Sequence, residues 1–287
     1  MVEGGGIVDG SETQVEQYVC TVAGLRVFYV AAGTGHPLLL VHGVGGSSLT
    51  FRANIAELAR RFRVYALDLP GHGRSEKPEA RYAVDDAVPF LATFIERVCG
   101  GPAALVGVSA GGLICALTAA ERPDLVTHLV LVSTAGLGRD VDWTLRLLTL
   151  PLARPWLERI RHDPVAVRLS LRRIVHDPSL ITEELVAAVC AERAQPGHAR
   201  AIAAALRANL GLFGVRRWRQ HLQAIRRVAA PKMIIWGKQD RLIPVRHAYR
   251  AVRYLAGVPV HVLDHCGHWP PFERPQEFNR LVMEFVR

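Results

Sequence analysis

Gly107-Val108-Ser109-Ala110-Gly111 lies between the apolar run Ala103-Ala104-Leu105-Val106 and the helix-like run Gly112-Leu113-Ile114-Cys115-Ala116-Leu117-Thr118-Ala119-Ala120. The order is that of a buried strand, a sharp turn and a helix, the context of a nucleophile elbow. A serine hydroxyl becomes a nucleophile when a turn lifts it clear of the surface and a base removes its proton. Small residues at 107, 110, 111 and 112 let so tight a backbone exist. The turn also starts a helix, where unpaired N–H groups, that of Ala110 among them, face a developing oxyanion. The competing reading, Ser109 as a plain helix N-cap, explains the helix but not the strand before it.

An elbow needs a base and an acid, in the chain order serine, acid, histidine. Lys232-Met233-Ile234-Ile235-Trp236-Gly237 reads as a buried strand, with Asp240 in the loop beyond it. Val258 to Leu263 reads as the next strand, and His268 follows in Asp264-His265-Cys266-Gly267-His268-Trp269-Pro270. Loops past the carboxyl ends of parallel strands are where open α/β sheets place their sites. Asp264 and His265 compete for the two roles. Asp264 follows the wrong strand, and the glycine before His268 favours that histidine. A second oxyanion donor is expected after the strand Pro37 to Val41, in His42-Gly43-Val44-Gly45-Gly46-Ser47-Ser48. The Val44 N–H is assigned to it, with Gly43 as the alternative. His42 and His72 are read as structural, hydrogen-bonding their own loops.

These residues resemble the α/β-hydrolase superfamily from about Tyr18 to Arg287, and Asp68-Leu69-Pro70-Gly71-His72-Gly73-Arg74-Ser75 is similar to that family's turn after an early strand. The resemblance implies an α/β fold: a mostly parallel eight-stranded sheet flanked by helices, with a helical lid inserted. Asp177-Pro178-Ser179-Leu180-Ile181-Thr182-Glu183-Glu184-Leu185 and the segment Cys266 to Val282 are similar to one subgroup, the hydrolases that cut carbon–carbon bonds of meta-cleavage products. That subgroup carries a lid arginine that grips the substrate carboxylate. In direct register this chain has Val189, and Arg193 lies one helical turn later.

Working outward, Val15 to Val22 and Leu25 to Val30 read as a hairpin about Ala23-Gly24, and strands alternate with helices up to Leu129-Val130-Leu131-Val132. From about Leu137 the spacing turns helical, through Leu145 to Leu152, Val165 to Val175 and Ile202 to Leu212, and strands resume at Lys232. The expected organisation is a core in two parts, 1–136 and 229–287, with a cap over 137–228. The cap roofs the catalytic loops, so Gly43, Trp143, Leu147 and Trp269 are expected at the substrate, with Leu137, Leu150 and Trp156 as further wall or packing residues.

The 287 residues are 50% hydrophobic, enough for one large domain. No stretch approaches the ~20 apolar residues that span a bilayer. The start Met1-Val2-Glu3-Gly4-Gly5-Gly6 has no basic or apolar signal character and reads as a frayed tail. Cys20, Cys99, Cys115, Cys190 and Cys266 are odd in number and scattered, which fits a reducing, cytoplasmic setting rather than a disulfide framework. Neither metal-ligand spacing nor a phosphate-binding glycine fingerprint is present, so no metal and no cofactor is expected. The net charge is +9, and the stretch Arg139 to Arg227 holds 16 arginines against 8 acidic residues. With 32 of the 35 basic residues arginine and no nucleic-acid motif, the charge reads as compositional bias, leaving no nucleic-acid partner and no membrane insertion. A homo-oligomer is compatible with the sequence.

The expected chemistry is acyl transfer. His268, oriented by Asp240, deprotonates Ser109; the oxyanion is held by Val44 and Ala110, and water cleaves the acyl-enzyme. A serine at 109 argues against relatives that alkylate an aspartate. Since the direct-register position is Val189, hydrolysis of a hydrophobic carboxylic ester ranks first and carbon–carbon hydrolysis of a 2-hydroxy-6-oxo-dienoate (a ketone substrate) second. A non-catalytic ligand receptor on the same fold is the third reading.

Overall fold

The computed structural model describes residues 5–7 and 14–287. Its strands are β1 (Gly5–Ile7), β2 (Val15–Val22), β3 (Leu25–Ala32), β4 (His36–Val41), β5 (Phe62–Leu67), β6 (Ala103–Val108), β7 (Val126–Val132), β8 (Leu210–Gly211), β9 (Gly214–Val215), β10 (Lys232–Gly237) and β11 (Val260–Leu263). Its helices are α1 (Ile55–Leu58), α2 (Ala87–Phe94), α3 (Ala110–Glu121), α4 (Trp143–Leu147), α5 (Ala153–Ile160), α6 (Pro164–Ile174), α7 (Glu183–Ala194), α8 (His198–Asn209), α9 (Trp218–Arg227), α10 (Arg246–Tyr254), α11 (Pro270–Glu273) and α12 (Pro275–Phe285).

One sheet runs in the order β1-β2-β3-β5-β4-β6-β7-β10-β11, while β8 and β9 form a separate ladder. From β5 to β11 neighbours are parallel; β1, β2 and β3 pair antiparallel at one edge. The expected eight strands are all there, and β1 adds a ninth. Gly5–Ile7 lies in the stretch read as a frayed tail, yet it pairs with Val15–Gln17, because the outer edge of β2 offers unpaired backbone groups. The rest of that tail lies outside the described residues. The hairpin turn falls at Ala23 (φ 50°) and Gly24 (φ 79°), the left-handed pair that matches strand twist.

The central strands are apolar on both faces, as helices on both sides require. Leu39, Val41, Leu105, Leu131 and Ile234 point into one layer, with α2, α3 and α9. Their alternates Leu38, Leu40, Val106, Val130 and Ile235 point into the other, with α1 and α12.

Helices α4 to α9 occupy the insertion between β7 and β10. The periodicity over Leu145 to Leu152 suggested one helix; the chain instead stops at Leu147 and restarts at Ala153. Pro151 lacks an N–H and disfavours helical backbone at the residue before it. Val165 to Val175 is α6, as expected. Ile202 to Leu212 divides, because Asn209 ends α8 by donating to Ala205 O and Tyr82 O and accepting the Val84 N–H, which turns the chain into β8. Leu222 and Ile225 of α9 join the sheet layer beside Leu113, so this last helix packs as a core helix. These inserted helices have a core of their own, Val167, Leu171, Leu185, Val186 and Val189, closed by Trp269 and Phe272. No helix among the described residues is long and apolar enough to cross a membrane.

Candidate active site

The chain leaves β6 and enters α3 through Ser109 at φ 56° and ψ −120°. This is backbone an L-residue adopts only under constraint. The constraint is visible: the Ser109 N–H donates to Val132 O (2.8 Å), and its carbonyl accepts from Leu113 N (3.3 Å) and Ala135 N (3.1 Å). The flanking glycines are required by contact. A Cβ at Gly107 would meet Gly112 N at 2.5 Å, one at Gly111 would meet His42 O at 2.3 Å, and one at Gly112 would meet Thr134 Oγ1 at 2.5 Å.

Asp240 and His268 arrive from the ends of β10 and β11. The His268 Nδ1–H donates to Asp240 Oδ2 at 2.7 Å, with both groups buried. The other carboxylate oxygen, Oδ1, accepts the N–H groups of Leu242 (2.8 Å) and Ile243 (2.9 Å), which fixes the carboxylate plane. The tautomer follows, leaving Nε2 to act on a hydroxyl. The rivals separate on geometry. Asp264 is exposed and bound to Lys238 and Gln239, hydrogen bonds that hold its carboxyl well below the usual carboxylate range. His265 is exposed as well.

A buried carboxylate absent from the sequence reading, Glu273, organises the histidine loop. It accepts the N–H groups of Gly267 (3.0 Å), Trp269 (3.1 Å) and His176 (2.5 Å). The His268 N–H itself donates to Ile174 O at 2.7 Å. Burial raises the Glu273 carboxyl, and these backbone donors pull it back. Gly237 and Gly267 are small for the same reason: a Cβ on either would fall inside neighbouring backbone, 1.8 Å from Gly267 O and 2.4 Å from Ile174 O. The only sequence signal for Glu273 is a Glu shortly after the histidine; that its carboxylate gathers three backbone N–H groups appears only in the folded chain.

The loop after β4 brings Gly43 against the serine, where an added Cβ would lie 2.8 Å from Ser109 Cβ. The Leu69 N–H donates to His42 Nε2 (3.0 Å), so Nδ1 carries the proton and donates to Gly43 O (2.7 Å). Gly46 N–H donates to the same carbonyl at 3.1 Å. A trans peptide points its C=O and N–H in opposite directions. Tying the Gly43 carbonyl to His42 therefore turns the Val44 N–H the other way, and Val44 lines the same cavity as Ser109. Burial pushes His42 down to about 4, so it is neutral at pH 7 and can accept the Leu69 N–H. The Ala110 N–H opens α3, where no intrahelical acceptor exists.

Ser109 and His268 open into a cavity of about 840 Å³ walled by the inserted helices. Gly43, Trp143, Leu147 and Trp269 all line it, and its wall is overwhelmingly apolar. Trp269 also packs on Phe272, ring centroids 5.0 Å apart, and so joins the lid core to the histidine loop. Val189 is packed into that core, 8% exposed. Arg193 lines the cavity one turn later. Arg161 and Arg173, also on the wall, are paired with Glu158 and Asp142; Arg193 has no ion pair among the described residues. Beside it Glu192 faces the cavity, and burial next to Asp68 pushes its carboxyl up to about 7. His198 and His221 also line it, the latter with both ring nitrogens buried and unpartnered among the described residues. The sequence reading weighed Arg193 but missed Glu192 and both histidines, which no motif marks.

Residues 38–281 match the alpha/beta hydrolase family. An uncharacterized protein of Mycobacterium tuberculosis is 32% identical over 93% of this chain and 80% of its own. The 2-hydroxy-6-oxononadienedioate/2-hydroxy-6-oxononatrienedioate hydrolase of Burkholderia vietnamiensis is 30% identical over 96% of this chain and 97% of that protein. Among solved structures, a meta-cleavage product hydrolase from Pseudomonas fluorescens superposes with a TM-score of 0.78 at 27% identity, covering 93% of this chain and 96% of that one.

Proposed function

The chain belongs to the alpha/beta hydrolase family, and from that membership we propose a serine-dependent hydrolase of carbon–carbon bonds in substrates of the 2-hydroxy-6-oxo-dienoate kind. The observation that carries this choice over ester hydrolysis is Arg193, a cation without an ion pair among the described residues on the wall of an apolar cavity that also holds Ser109. Charge in so apolar a place is costly unless a ligand compensates it, and a carboxylate-ended substrate does so. The relatives that act on dienoates agree. In direct register the lid arginine is replaced by Val189, which ranked the ester first; Arg193, one turn on, supplies the cation from the same helix.

In this reading His268 takes the Ser109 proton as Oγ attacks the keto carbon, and the oxyanion sits between the N–H groups of Val44 and Ala110. The carbon–carbon bond breaks toward the dienoate fragment, which leaves with the proton that His268 returns. Water then releases the acid from Ser109. The apolar wall favours a second reading, a hydrophobic carboxylic ester cleaved by the same steps.

Turnover of 2-hydroxy-6-oxo-6-phenyl-dienoate and of short p-nitrophenyl esters separates the two. The expected result is dienoate cleavage that disappears in Ser109→Ala and whose KM rises at least about tenfold in Arg193→Gln, the worth of a charged hydrogen bond. Serine-dependent ester turnover with untouched dienoate overturns the carbon–carbon reading. Saturable binding without product from either substrate overturns both in favour of a receptor.

A further inference from the structure

Three consecutive lid helices present the same exposed pattern. On α4 it is Trp143 and Leu147, at α5 Leu152 and Trp156, and on α6 Val165 and Leu169, each an i, i+4 pair on one helical face. An arginine stands one turn beyond one member of each pair: Arg146, Arg159 and Arg172. These apolar side chains are not partial leftovers of packing, since Leu152 is 85% exposed, Val165 67% and Trp143 63%. Five of the six also line the mouth of the cavity that holds Ser109. A contiguous apolar patch of this kind on a soluble protein marks a contact surface.

Charge selects what it contacts. Arg161, Arg168 and Arg173 are paired with Glu158, Glu183 and Asp142; Arg146, Arg159 and Arg172 have no ion pair among the described residues, and the stretch 143–174 as a whole holds seven arginines against two acidic residues. Of those two, Glu158 is paired with Arg161, and Asp163 caps α6 by accepting the Ala166 N–H. A second copy of the chain would meet the face with the same positive charge. A helix face of Trp and Leu rimmed by Arg is suited instead to the headgroup boundary of an anionic bilayer.

We propose that the α4–α5–α6 face docks onto an anionic phospholipid bilayer, with the mouth of the cavity opening toward the lipid so that a hydrophobic substrate enters from the membrane. The helices lie in the interface and do not span it. The inference is independent of which bond Ser109 breaks.

The test is co-sedimentation with phosphatidylglycerol and with phosphatidylcholine vesicles, at low and high salt. The expected result is binding to phosphatidylglycerol that weakens with salt and exceeds binding to phosphatidylcholine by roughly tenfold or more. Leu152→Ser with Trp156→Ser removes most of it. Arg159→Glu with Arg172→Glu, two exposed residues away from the cavity wall, weakens it by roughly tenfold or more while turnover of a soluble substrate stays as in the wild type. Failure to sediment with phosphatidylglycerol overturns the proposal, and so does binding that survives both double variants. Sedimentation velocity supplies a third refuting outcome: a dimer that Leu152→Ser with Trp156→Ser dissolves, which would make the face an interface between copies.

Discussion

Replacing Gly43 by alanine tests the elbow and the oxyanion loop together. Its φ lies outside the left-handed region, so alanine brings no backbone strain and the effect is purely one of space. The new Cβ lies 2.8 Å from Ser109 Cβ, where ordinary contact begins at 3.4 Å, so the loop and the serine must part by about 0.6 Å. Neither side yields easily. The Gly43 carbonyl is held by His42 and Gly46, and Ser109 by Val132, Leu113 and Ala135. Overpacking of this kind costs about 1–3 kcal/mol of stability. A displacement of that size between the Val44 N–H and the serine lowers kcat by about 10- to 100-fold, since a 1 Å misplacement costs about 100-fold. KM changes little, because the donor acts on the oxyanion and not on the bound ground state. Steady-state turnover of a chromogenic substrate, with thermal unfolding in parallel, reads both quantities. A variant with kcat within about threefold of wild type and an unchanged Tm would refute the reasoning, because it would mean the loop slides freely past Ser109.

Asp240→Asn is expected to lower kcat by about 10⁴-fold by inverting the histidine tautomer, whereas Asp264→Asn leaves kcat unchanged; equal losses in the same assay would reverse the assignment. Glu192 gives a pH signature. Its carboxyl, raised to about 7, is largely neutral below that pH and charged above it, so as pH rises it offsets Arg193 and the KM for a carboxylate-bearing substrate climbs. Glu192→Gln should flatten that climb and leave an uncharged ester unaffected. A KM profile unchanged by the substitution excludes Glu192 from the site.

Much of this was legible because the chemistry is local. The elbow is one pentapeptide between two apolar runs, and the loops bearing Asp240 and His268 each follow a strand whose apolar character is continuous. The alternation of Leu38 to Val41 and of Leu105 to Val108 between two layers needs no tertiary information. What stayed hidden depends on distant pairing. Glu273 ties the histidine loop to His176, 97 residues away, and Asn209 ends a helix early because Tyr82 and Val84 reward it. The arginine's position was ambiguous because Val189 and Arg193, one turn apart, lie on the same face of α7 and both line the cavity, so a register count cannot tell which level along the helix meets the substrate. Of the exposed face of α4 to α6, Trp143, Leu147 and Trp156 read from the sequence as cavity wall or packing, since periodicity shows that a stripe exists and not whether anything covers it.

The attachment of the roof is unequal along its length. Where α6 ends, Ile174 and His176 are stitched to the strand-end loop that carries His268, and Trp269 and Phe272 are themselves part of the lid's apolar core. His268 and that end of the roof are therefore held together, and any excursion large enough to admit a bulky molecule there would carry the imidazole away from Asp240. At the other end the Asp142 N–H, at the start of α4, donates to Leu242 O in the Asp240 loop (2.8 Å), and past that anchor no hydrogen bond among the described residues joins α4 or α5 to the loops of Asp240 and His268. Entry and substrate range can then be reshaped by sequence drift in α4 and α5 while the proton-transfer geometry stays intact, so related chains should diverge in appetite far sooner than in chemistry.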